Sequence, residues 1–458
     1  MSGLTFSSTD FRKQIEADRE AMIHNVSQYL QEIKPEIFED GLNPNSWSVT
    51  HALIRESILS KYQLVPDEVD QVIKGVISKG SGWGPLTEFV VGRPDADQIT
   101  EVQVVPQGKN PPNVFYCKNG RPVYAGNHYF ENSHAAVENF CRKIIEGVDR
   151  ELIKNAPIVD AWMKDMSRLA VAAFDVCPQG LSFSIRKSPL TLPPIPMGKM
   201  VQNGTLPRIL MDMCQDLFVH GGASWCINGR TDSGKTALLK AILTYIKDID
   251  KIQRVLIGET SFEMFLSELP NCYNMVETVV GGKKVVTMKD ICQSANRNNP
   301  DWFVLSEIRG EEIGAAATIA ESLSGKFAST FHAGGVREFQ NKIFKLLPQG
   351  GINLPMQYVD SQIQSMYNFL LFQDKDSLDK RTFMSLVEIT EDGYEEILVF
   401  DEDEYLASNG KVRRWIYNKP ISKKRLAKLA FRGARNIDAY TEVKEKYHYA
   451  EASEEVPA

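Results

Sequence analysis

The chain has 458 residues, of which 43% are hydrophobic and 24% charged, and its formal net charge is -7. This length predicts two domains with extensions, and the acidic balance argues against a protein that coats nucleic acid through a general positive field. No apolar run approaches a membrane span and the N-terminus lacks a signal peptide's apolar core, so we expect a cytosolic protein. The seven cysteines are scattered without a CxxC pair, which indicates neither a disulfide frame nor a zinc site.

Residues 1–80 are predicted to form a helical extension. Apolar residues recur at helical spacing over 11–33 and 49–62, and Pro66 with two acids after it opens a third helix. An α+β domain of regulatory or assembly type is expected to follow at 81–188. Its strands are predicted at 99–105, 114–117, 123–124, 169–173 and 181–185, with one helix at 135–148.

A linker is predicted at 189–205, where four prolines within eight residues exclude a helix or a central strand. The next domain, 206–400, opens with a helix that ends at 220. Four continuous apolar strand candidates separated by helical stretches then follow, at 224–227, 255–258, 302–305 and 327–331. Such strands indicate an α/β fold, with a parallel sheet covered by helices on both faces.

Each of these four strands is followed by a chemically suggestive residue. Lys235 and Thr236 come after the first, Glu259 after the second, Glu307 after the third and His332 after the fourth. Because ligands bind at the carboxyl ends of the strands in such sheets, we expect these side chains to line one site.

A glycine-bounded loop joins the first strand to a Leu- and Ala-rich helix. It is Gly229-Arg230-Thr231-Asp232-Ser233-Gly234-Lys235-Thr236, with Ala237 next. This is the P-loop arrangement, in which backbone N–H groups surround a β-phosphate, Lys235 reaches the β- and γ-phosphate oxygens and the Thr236 hydroxyl takes one Mg²⁺ position. Asp232 stands where such loops commonly have glycine, and its charge would lie near the phosphates.

The segment 401–458 is predicted to be a basic C-terminal extension. It opens with four acids, but 405–437 contains ten Lys and Arg residues and no acid. Ser422 is expected to cap a helix that ends near Gly433. The segment is either a solvated or subunit-packing helix, or a contact for an acidic partner, anionic lipid or nucleic acid.

Three further stretches accompany the P-loop: 254–263 (RVLIGETSFE), 297–312 (RNNPDWFVLSEIRGEE) and 329–334 (STFHAG). In order, the four resemble the Walker A, acidic, Walker B and histidine motifs of the secretion ATPases, which are hexameric traffic ATPases of type II and type IV secretion, pilus and conjugation machines. Stretches at 84–86, 157–169 and 183–187 resemble the N-terminal domain of the conjugative type IV secretion and tight-adherence pilus branch. The resemblance covers roughly 82–400 and implies a RecA-like P-loop ATPase domain after an α+β domain and a helical leader.

The resemblance and the chemistry of phosphoryl transfer together assign roles at the strand ends. Glu307 is predicted to be the general base or water-positioning carboxylate and to help hold Mg²⁺. Glu259 and Glu263 would hold the water shell of the metal or an opposing arginine, although Thr260 stands where the family usually has aspartate. His332 would couple the γ-phosphate to neighbouring elements.

Four arginines complete the predicted site. Arg168 and Arg186 match N-terminal-domain arginines that reach the nucleotide across the domain cleft in the family, so ATP binding would close the two domains. Arg309 and Arg297 fit the same lining.

These features predict a homohexameric ATPase that uses ATP and Mg²⁺, lies in the cytoplasm at the inner face of the membrane, and docks on membrane-embedded components of a secretion or pilus machine. Sequence-specific nucleic-acid binding is not expected. Two alternatives stay open: a nucleic-acid motor, for which the basic segment is the support, and a nucleotide-binding scaffold with weak or no turnover.

Overall fold

The computed structural model describes residues 8–35, 47–91, 93–118, 120–130, 133–148, 150–188, 190, 194–280, 283–323, 325–376 and 380–450. The chain divides into two compact units, Met1–Leu192 and Pro193–Ala458, and the boundary falls inside the predicted linker. Within the described ranges, no helix has both the length and the apolar character needed to cross a bilayer.

The first unit begins with three helices, α1 (Ser8–Ile33), α2 (Trp47–Leu59) and α3 (Pro66–Ser81). They correspond to the predicted leader, of which 1–7 and 36–46 lie outside the described residues. Their apolar faces form a small core that includes Val26, Leu30, Ile54, Ile58, Val72, Ile73 and Val76. Ser78 Oγ donates to the Gly84 carbonyl at 2.7 Å, so the leader is joined directly to the rest of the unit.

The remainder of the first unit is a six-stranded antiparallel sheet with one long helix. The strands are β1 (Ile99–Gln107), β2 (Asn110–Lys118), β3 (Arg121–Gly126), β4 (Ile158–Trp162), β5 (Arg168–Ala172) and β6 (Ser182–Arg186), in the order β3-β2-β1-β6-β5-β4. Helix α4 (His134–Glu146) is capped by Ser133, whose Oγ accepts from Ala136 N. Val137, Cys141 and Ile145, spaced four residues apart, bury one face of α4 in the same core as the sheet.

The second unit is built on a ten-stranded sheet. Its strands are β7 (Trp225–Asn228), β8 (Val255–Glu259), β9 (Cys272–Val276), β12 (Trp302–Leu305), β13 (Phe327–Phe331), β14 (Phe369–Lys375), β15 (Arg381–Thr390), β16 (Gly393–Phe400), β17 (Arg414–Tyr417) and β18 (Tyr447–Tyr449). A separate hairpin is formed by β10 (Thr278–Val280) and β11 (Lys283–Val286). The helices are α5 (Met197–Gln202), α6 (Arg208–Met213), α7 (Lys235–Leu243), α8 (Met288–Asn298), α9 (Glu312–Leu323), α10 (Val336–Leu346), α11 (Val359–Met366), α12 (Glu402–Ala407) and α13 (Lys423–Phe431). The single helix predicted before β7 is instead α6 followed by a π-helix, Cys214–His220.

The four predicted apolar strands are confirmed as parallel neighbours in the centre of this sheet. The order is β18-β17-β16-β15-β14-β7-β13-β12-β8-β9, and β14 through β9 run parallel. Each central strand is buried on both faces: Trp225 and Ile227 of β7 pack into one core, while Cys226 packs into the other. Strand β13 separates β7 from β12, which is the RecA-like arrangement that the sequence predicts.

The segment after 400 belongs to the same sheet, although its composition predicts a separate extension. Strands β17 and β18 continue the antiparallel half, because Trp415 and Tyr417 alternate into the core. Ser422 caps α13 as predicted, because its Oγ accepts from Arg425 N. Its own N–H and hydroxyl donate to buried Glu388 of β15. Residues 401–450 are therefore part of the second unit.

Candidate nucleotide-binding site

The loop between β7 and α7 has a backbone that depends on glycine at two positions. Gly229 and Gly234 have φ of 156° and 92°, and Asp232 between them has φ of 62°. A Cβ at Gly229 would lie 2.1 Å from the Gln373 carbonyl oxygen, and one at Gly234 would lie 2.7 Å from Arg381 Cδ. The loop therefore passes against the β14–β15 hairpin with no room for side chains at either glycine.

The loop opens directly into the first turn of α7. The first-turn N–H groups of a helix have no partner within it, so they are available to an anion held by the loop. Ser233 is buried, and its Oγ has no hydrogen-bond partner among the described residues. Arg230 and Thr231 are exposed, while Thr236 and Ala237 are half-buried in the first turn. The loop thus has the backbone and side-chain arrangement expected of an anion cradle, and the binding of an anion there stays a prediction.

Lys235 is 7% exposed and turns back over the loop. Its Nζ donates to the carbonyl oxygens of Gly229 at 3.0 Å and Arg230 at 2.8 Å, and it lies 3.3 Å from His332 Nδ1. Burial lowers the pKa of Lys235 from its ordinary value, and the nearby charge of Glu307 opposes that shift. The ammonium is thus held at the loop by carbonyls that a phosphate could replace.

Glu307 and His332 meet at the carboxyl ends of neighbouring strands β12 and β13. The two segments continue side by side beyond the strands, since Ile308 N donates to Thr330 O at 3.2 Å. His332 Nε2 lies 2.9 Å from Glu307 Oε1, and Arg309 pairs with the other carboxylate oxygen. Glu307 is 13% exposed and therefore sits in a partly desolvated position between two donors.

The partners of His332 determine which ring nitrogen carries the hydrogen. Burial, followed by the charge of Lys235, lowers the pKa of His332, so the imidazole is neutral near pH 7. A lysine ammonium can only donate, so Nδ1 accepts from Lys235 and Nε2 donates to Glu307. His332 therefore links the cation of the loop to the carboxylate of β12.

Glu259 occupies a different environment from Glu307. Its side chain is fully buried, and Oε1 accepts from the N–H groups of Glu263 at 3.1 Å and Met264 at 3.0 Å. Oε2 accepts from Asn274 Nδ2 at 2.7 Å, and burial raises the pKa of Glu259 to about 7. These contacts anchor the segment after β8; the role in a metal water shell stays a prediction.

Glu263 lies on the segment that Glu259 anchors, and its negative charge acts on Arg309. The hydrogen bond from Arg309 to Glu307, and then the charges of Glu307 and Glu263, raise the pKa of Arg309. The pairing of an acidic-box carboxylate with an opposing arginine stays a prediction.

Oxygen donors suited to Mg²⁺ are present at the loop. Thr236 places a hydroxyl in the first turn of α7, and Glu307 supplies a carboxylate across the site. The described residues contain no group of three or more His, Cys, Asp or Glu that could cage an ion. Mg²⁺ commonly keeps several waters and binds through one or two protein oxygens plus phosphates, so this donor set fits a metal that arrives with a nucleotide.

Lys375 and Arg381 are site residues that the sequence motifs do not reveal. Lys375 Nζ lies 3.0 Å from Asp232 Oδ2, and Arg381 Nη2 lies 2.7 Å from Oδ1. Although burial alone would raise it, the pKa of Asp232 is lowered by the hydrogen bonds from these two cations. Asp232 therefore carries a paired charge, whereas the loop sequence alone predicts an unpaired one near the phosphates.

The other predicted arginines are Arg168, Arg186 and Arg297. Arg168 and Arg186 belong to the first unit, where they are directly opposite each other on β5 and β6. Arg168 also pairs with Asp160 at 3.1 Å. Their approach to a nucleotide stays a prediction. Arg297 is exposed in the last turn of α8, ahead of the amino end of β12, so the structure does not bring it to the loop of its own chain.

Residues 204–359 match the family model described as Type II/IV secretion system protein. The chain is 31% identical over 237 residues to the uncharacterized protein MJ0900 of Methanocaldococcus jannaschii, covering 51% of this chain and 41% of that protein. It is 24% identical over 297 residues to the type IV secretion system protein VirB11 of Brucella suis, covering 59% and 77%. The solved ATPase DotB of Legionella pneumophila is similar with a TM-score of 0.46 and 17% identity, covering 65% and 78%. The chain thus spans less than half the length of the first relative, and the matched family region contains every strand-end residue from Lys235 to His332.

Proposed function

We propose, on the premise that this chain belongs to the type II/IV secretion system protein family, that it is an ATPase whose turnover drives a membrane secretion or pilus machine. The observation that carries the proposal is the connected set Lys235, His332 and Glu307 beside a glycine-bounded loop. This set connects the Lys235 ammonium, which is suited to bind a phosphate, with the Glu307 carboxylate, which is suited to bind a water molecule.

Phosphoryl transfer to water needs charge neutralisation and a placed nucleophile more than covalent chemistry by the protein. Lys235 would exchange the carbonyls of Gly229 and Arg230 for phosphate oxygens. Glu307, fixed by His332 and Arg309, would accept a hydrogen bond from the attacking water and orient it. Mg²⁺ bound with the nucleotide, held by Thr236 and through water by Glu307, would neutralise charge on the phosphates.

Two arginines of the first unit also belong to the proposed mechanism. Arg168 and Arg186 are register partners at one end of the interior strands β5 and β6, and in this proposal the two guanidinium groups would contact a terminal phosphate together. Contact with a nucleotide would close the two units in each turnover. A homohexamer at the inner face of the cytoplasmic membrane is the assembly proposed for coupling such closure to transport.

Phosphate release by the purified chain tests the proposal. Wild-type protein with Mg²⁺ and ATP is expected to release phosphate, and Lys235→Ala is expected to abolish both release and nucleotide binding. Release from wild type no greater than from Lys235→Ala would overturn the enzyme assignment.

A second candidate is a nucleotide-binding scaffold without turnover. The observation in its favour is the engagement of Glu259 by three protein donors, together with Thr260 in place of an acid. Wild type that binds ATP with the affinity lost in Lys235→Ala, but releases no phosphate, would select this candidate.

The nucleic-acid motor receives less support from the structure. Several cations of the basic segment are paired within the unit: Arg414 with Asp401, Lys419 with Glu395, and Lys424 with Glu391. Pairing reduces the charge available to a phosphate backbone. Stimulation of phosphate release by added DNA would favour the motor.

A further inference from the structure

Asp232 is an unusual residue for the crest of a phosphate-binding loop. Its φ of 62° is a conformation that aspartate tolerates better than most residues but that glycine adopts freely. Its carboxylate is 49% exposed, so it places a negative charge at the loop where a polyphosphate would bind. Unless something compensates that charge, it would oppose the binding of the nucleotide.

The compensation comes from the end of the β14–β15 hairpin. Lys375 and Arg381 are register partners at the end of this strand pair where β14 leads into β15, and both reach Asp232. Arg381 also donates from Nε to the backbone carbonyl of Asp232 at 3.2 Å. The Asp232 carboxylate is therefore paired with two cations, and one of them, Arg381, also donates a hydrogen bond to the Asp232 backbone.

The hairpin is itself fixed by the segment after 400. Tyr405 donates its hydroxyl to Asp376 at 2.6 Å, close to Lys375 in sequence. Arg413, which is 9% exposed, donates to Thr382 beside Arg381 and lies 3.8 Å from Asp376. Tyr405 and Arg413 thus hold residues that adjoin Lys375 and Arg381, so the position of the two cations at the loop is set by the folded unit.

We propose that Lys375 and Arg381 are positioning residues of the nucleotide site, matched to Asp232, and that they cancel its repulsion of the phosphates and hold the loop in its binding conformation. The inference rests on the proposed ATP binding and adds two residues to it. On this inference, the charge of Asp232 weakens ATP binding only when Lys375 or Arg381 is removed. The effects on ATP affinity of substitutions at Asp232 and at its two partners therefore depend on one another.

Calorimetric titration of the full chain with Mg²⁺ and ATP tests this dependence. Arg381→Ala is expected to weaken ATP binding roughly three- to tenfold, as partial exposure screens the freed charge of Asp232. Asp232→Gly is expected to bind at least as tightly as wild type, because glycine keeps the loop conformation and no repulsive charge remains. The double variant Asp232→Gly/Arg381→Ala is expected to recover wild-type affinity.

Two further measurements separate charge compensation from general stabilisation. The loss in Arg381→Ala should be larger for ATP than for ADP and should shrink in high salt, since both follow from repulsion between charges. Lys380→Ala is the control, because it removes an equal positive charge from an exposed position of the same hairpin. Asp232 still pairs with Lys375 and Arg381 in this variant, so its affinity for ATP is expected to be retained.

A double variant that binds ATP no better than Arg381→Ala would overturn the inference, because the arginine would then act through structure alone. In that case wild type would still bind ATP and Lys235→Ala would not, and the proposed function would stand. Wild type that binds no nucleotide would overturn both.

Discussion

Glu307 accepts a hydrogen bond from the imidazole of His332 across the ends of two adjacent parallel strands, with 2.9 Å between Oε1 and Nε2. The other ring nitrogen of His332 faces Lys235. The predicted water-positioning carboxylate and the predicted phosphate-binding lysine are therefore connected by one neutral side chain.

Replacing Glu307 with glutamine is expected to separate binding from turnover. Glutamine keeps the size of the side chain but removes the base, so phosphate release should fall about 100-fold or more while ATP affinity changes little. Glu311→Gln, at an exposed position of the same segment, is the matched control and should retain turnover. Normal hydrolysis by Glu307→Gln would assign the water to another carboxylate.

Turnover is expected to fall as pH drops below the ordinary histidine range. Burial, followed by the charge of Lys235, lowers the pKa of His332 in the folded protein, so the ring gains a proton only at a pH below the ordinary histidine value. Protonation at Nδ1 removes the acceptor for Lys235 and adds a like charge beside it. The pH profile of kcat should lose this acid limb in His332→Gln but keep it in His448→Gln, a change on β18 at the edge of the sheet.

Glu259 is expected to make the protein less stable as pH rises. Its folded pKa of about 7 lies above its ordinary 4.5, so the stabilisation is complete below 4.5 and is lost as pH rises through 7. At about 1.4 kcal/mol per pKa unit, this amounts to roughly 3 kcal/mol. Urea unfolding of wild type at pH 5 and pH 8 should show the loss, and Glu259→Gln should show a smaller one; exposed Glu268→Gln should behave as wild type. If Glu259→Gln and Glu268→Gln lost equal stability between pH 5 and pH 8, titration of the buried Glu259 carboxyl would be contradicted.

Arg186→Ala is expected to lower phosphate release roughly tenfold without unfolding the chain, since one charge-assisted hydrogen bond to a phosphate is lost. Circular dichroism checks the fold, and Lys154→Ala removes an exposed cation of the same unit as a control. Unchanged kinetics in Arg186→Ala would remove the case for closure of the two units on ATP.

Trp415→Ala is expected to destabilise the second unit by about 3–5 kcal/mol. Trp415 is fully buried on β17, and its indole N–H donates to the Phe383 carbonyl at 2.8 Å. Phe431→Ala provides the contrast, because Phe431 is 93% exposed. Thermal melting should separate the two variants; similar melting curves would show that the segment after 400 contributes little to the core.

The central sheet was predictable because parallel strands buried on both faces leave continuous apolar runs in the sequence. The loop was predictable because phosphate binding imposes glycine, lysine and threonine at fixed spacing. Strands such as β16 and β17 were not predictable from the sequence. Strand β16 mixes exposed and buried residues without clean alternation, and β17 is four residues long. Such strands exist because a neighbour is present to pair with them.

Side-chain partners far apart in sequence were equally beyond prediction. Lys375 and Arg381 lie 143 and 149 positions from Asp232, so no local pattern records their pairing. The position of Glu259 at a strand end was evident, but the direction of its carboxylate depends on Asn274 and on the turn at Glu263. Burial and contacts of this kind arise only once the whole unit has folded.

Strand β15 touches both the loop and the far part of the second unit. Arg381 at its start holds Asp232, while Glu388, seven residues later, holds the first turn of α13 through Ser422. An extended strand rises about 3.3 Å per residue, so these two anchor points are roughly 20 Å apart. Because β15 is hydrogen-bonded to β14 on one side and to β16 on the other, the loop and the start of α13 are both anchored to the same rigid part of the sheet.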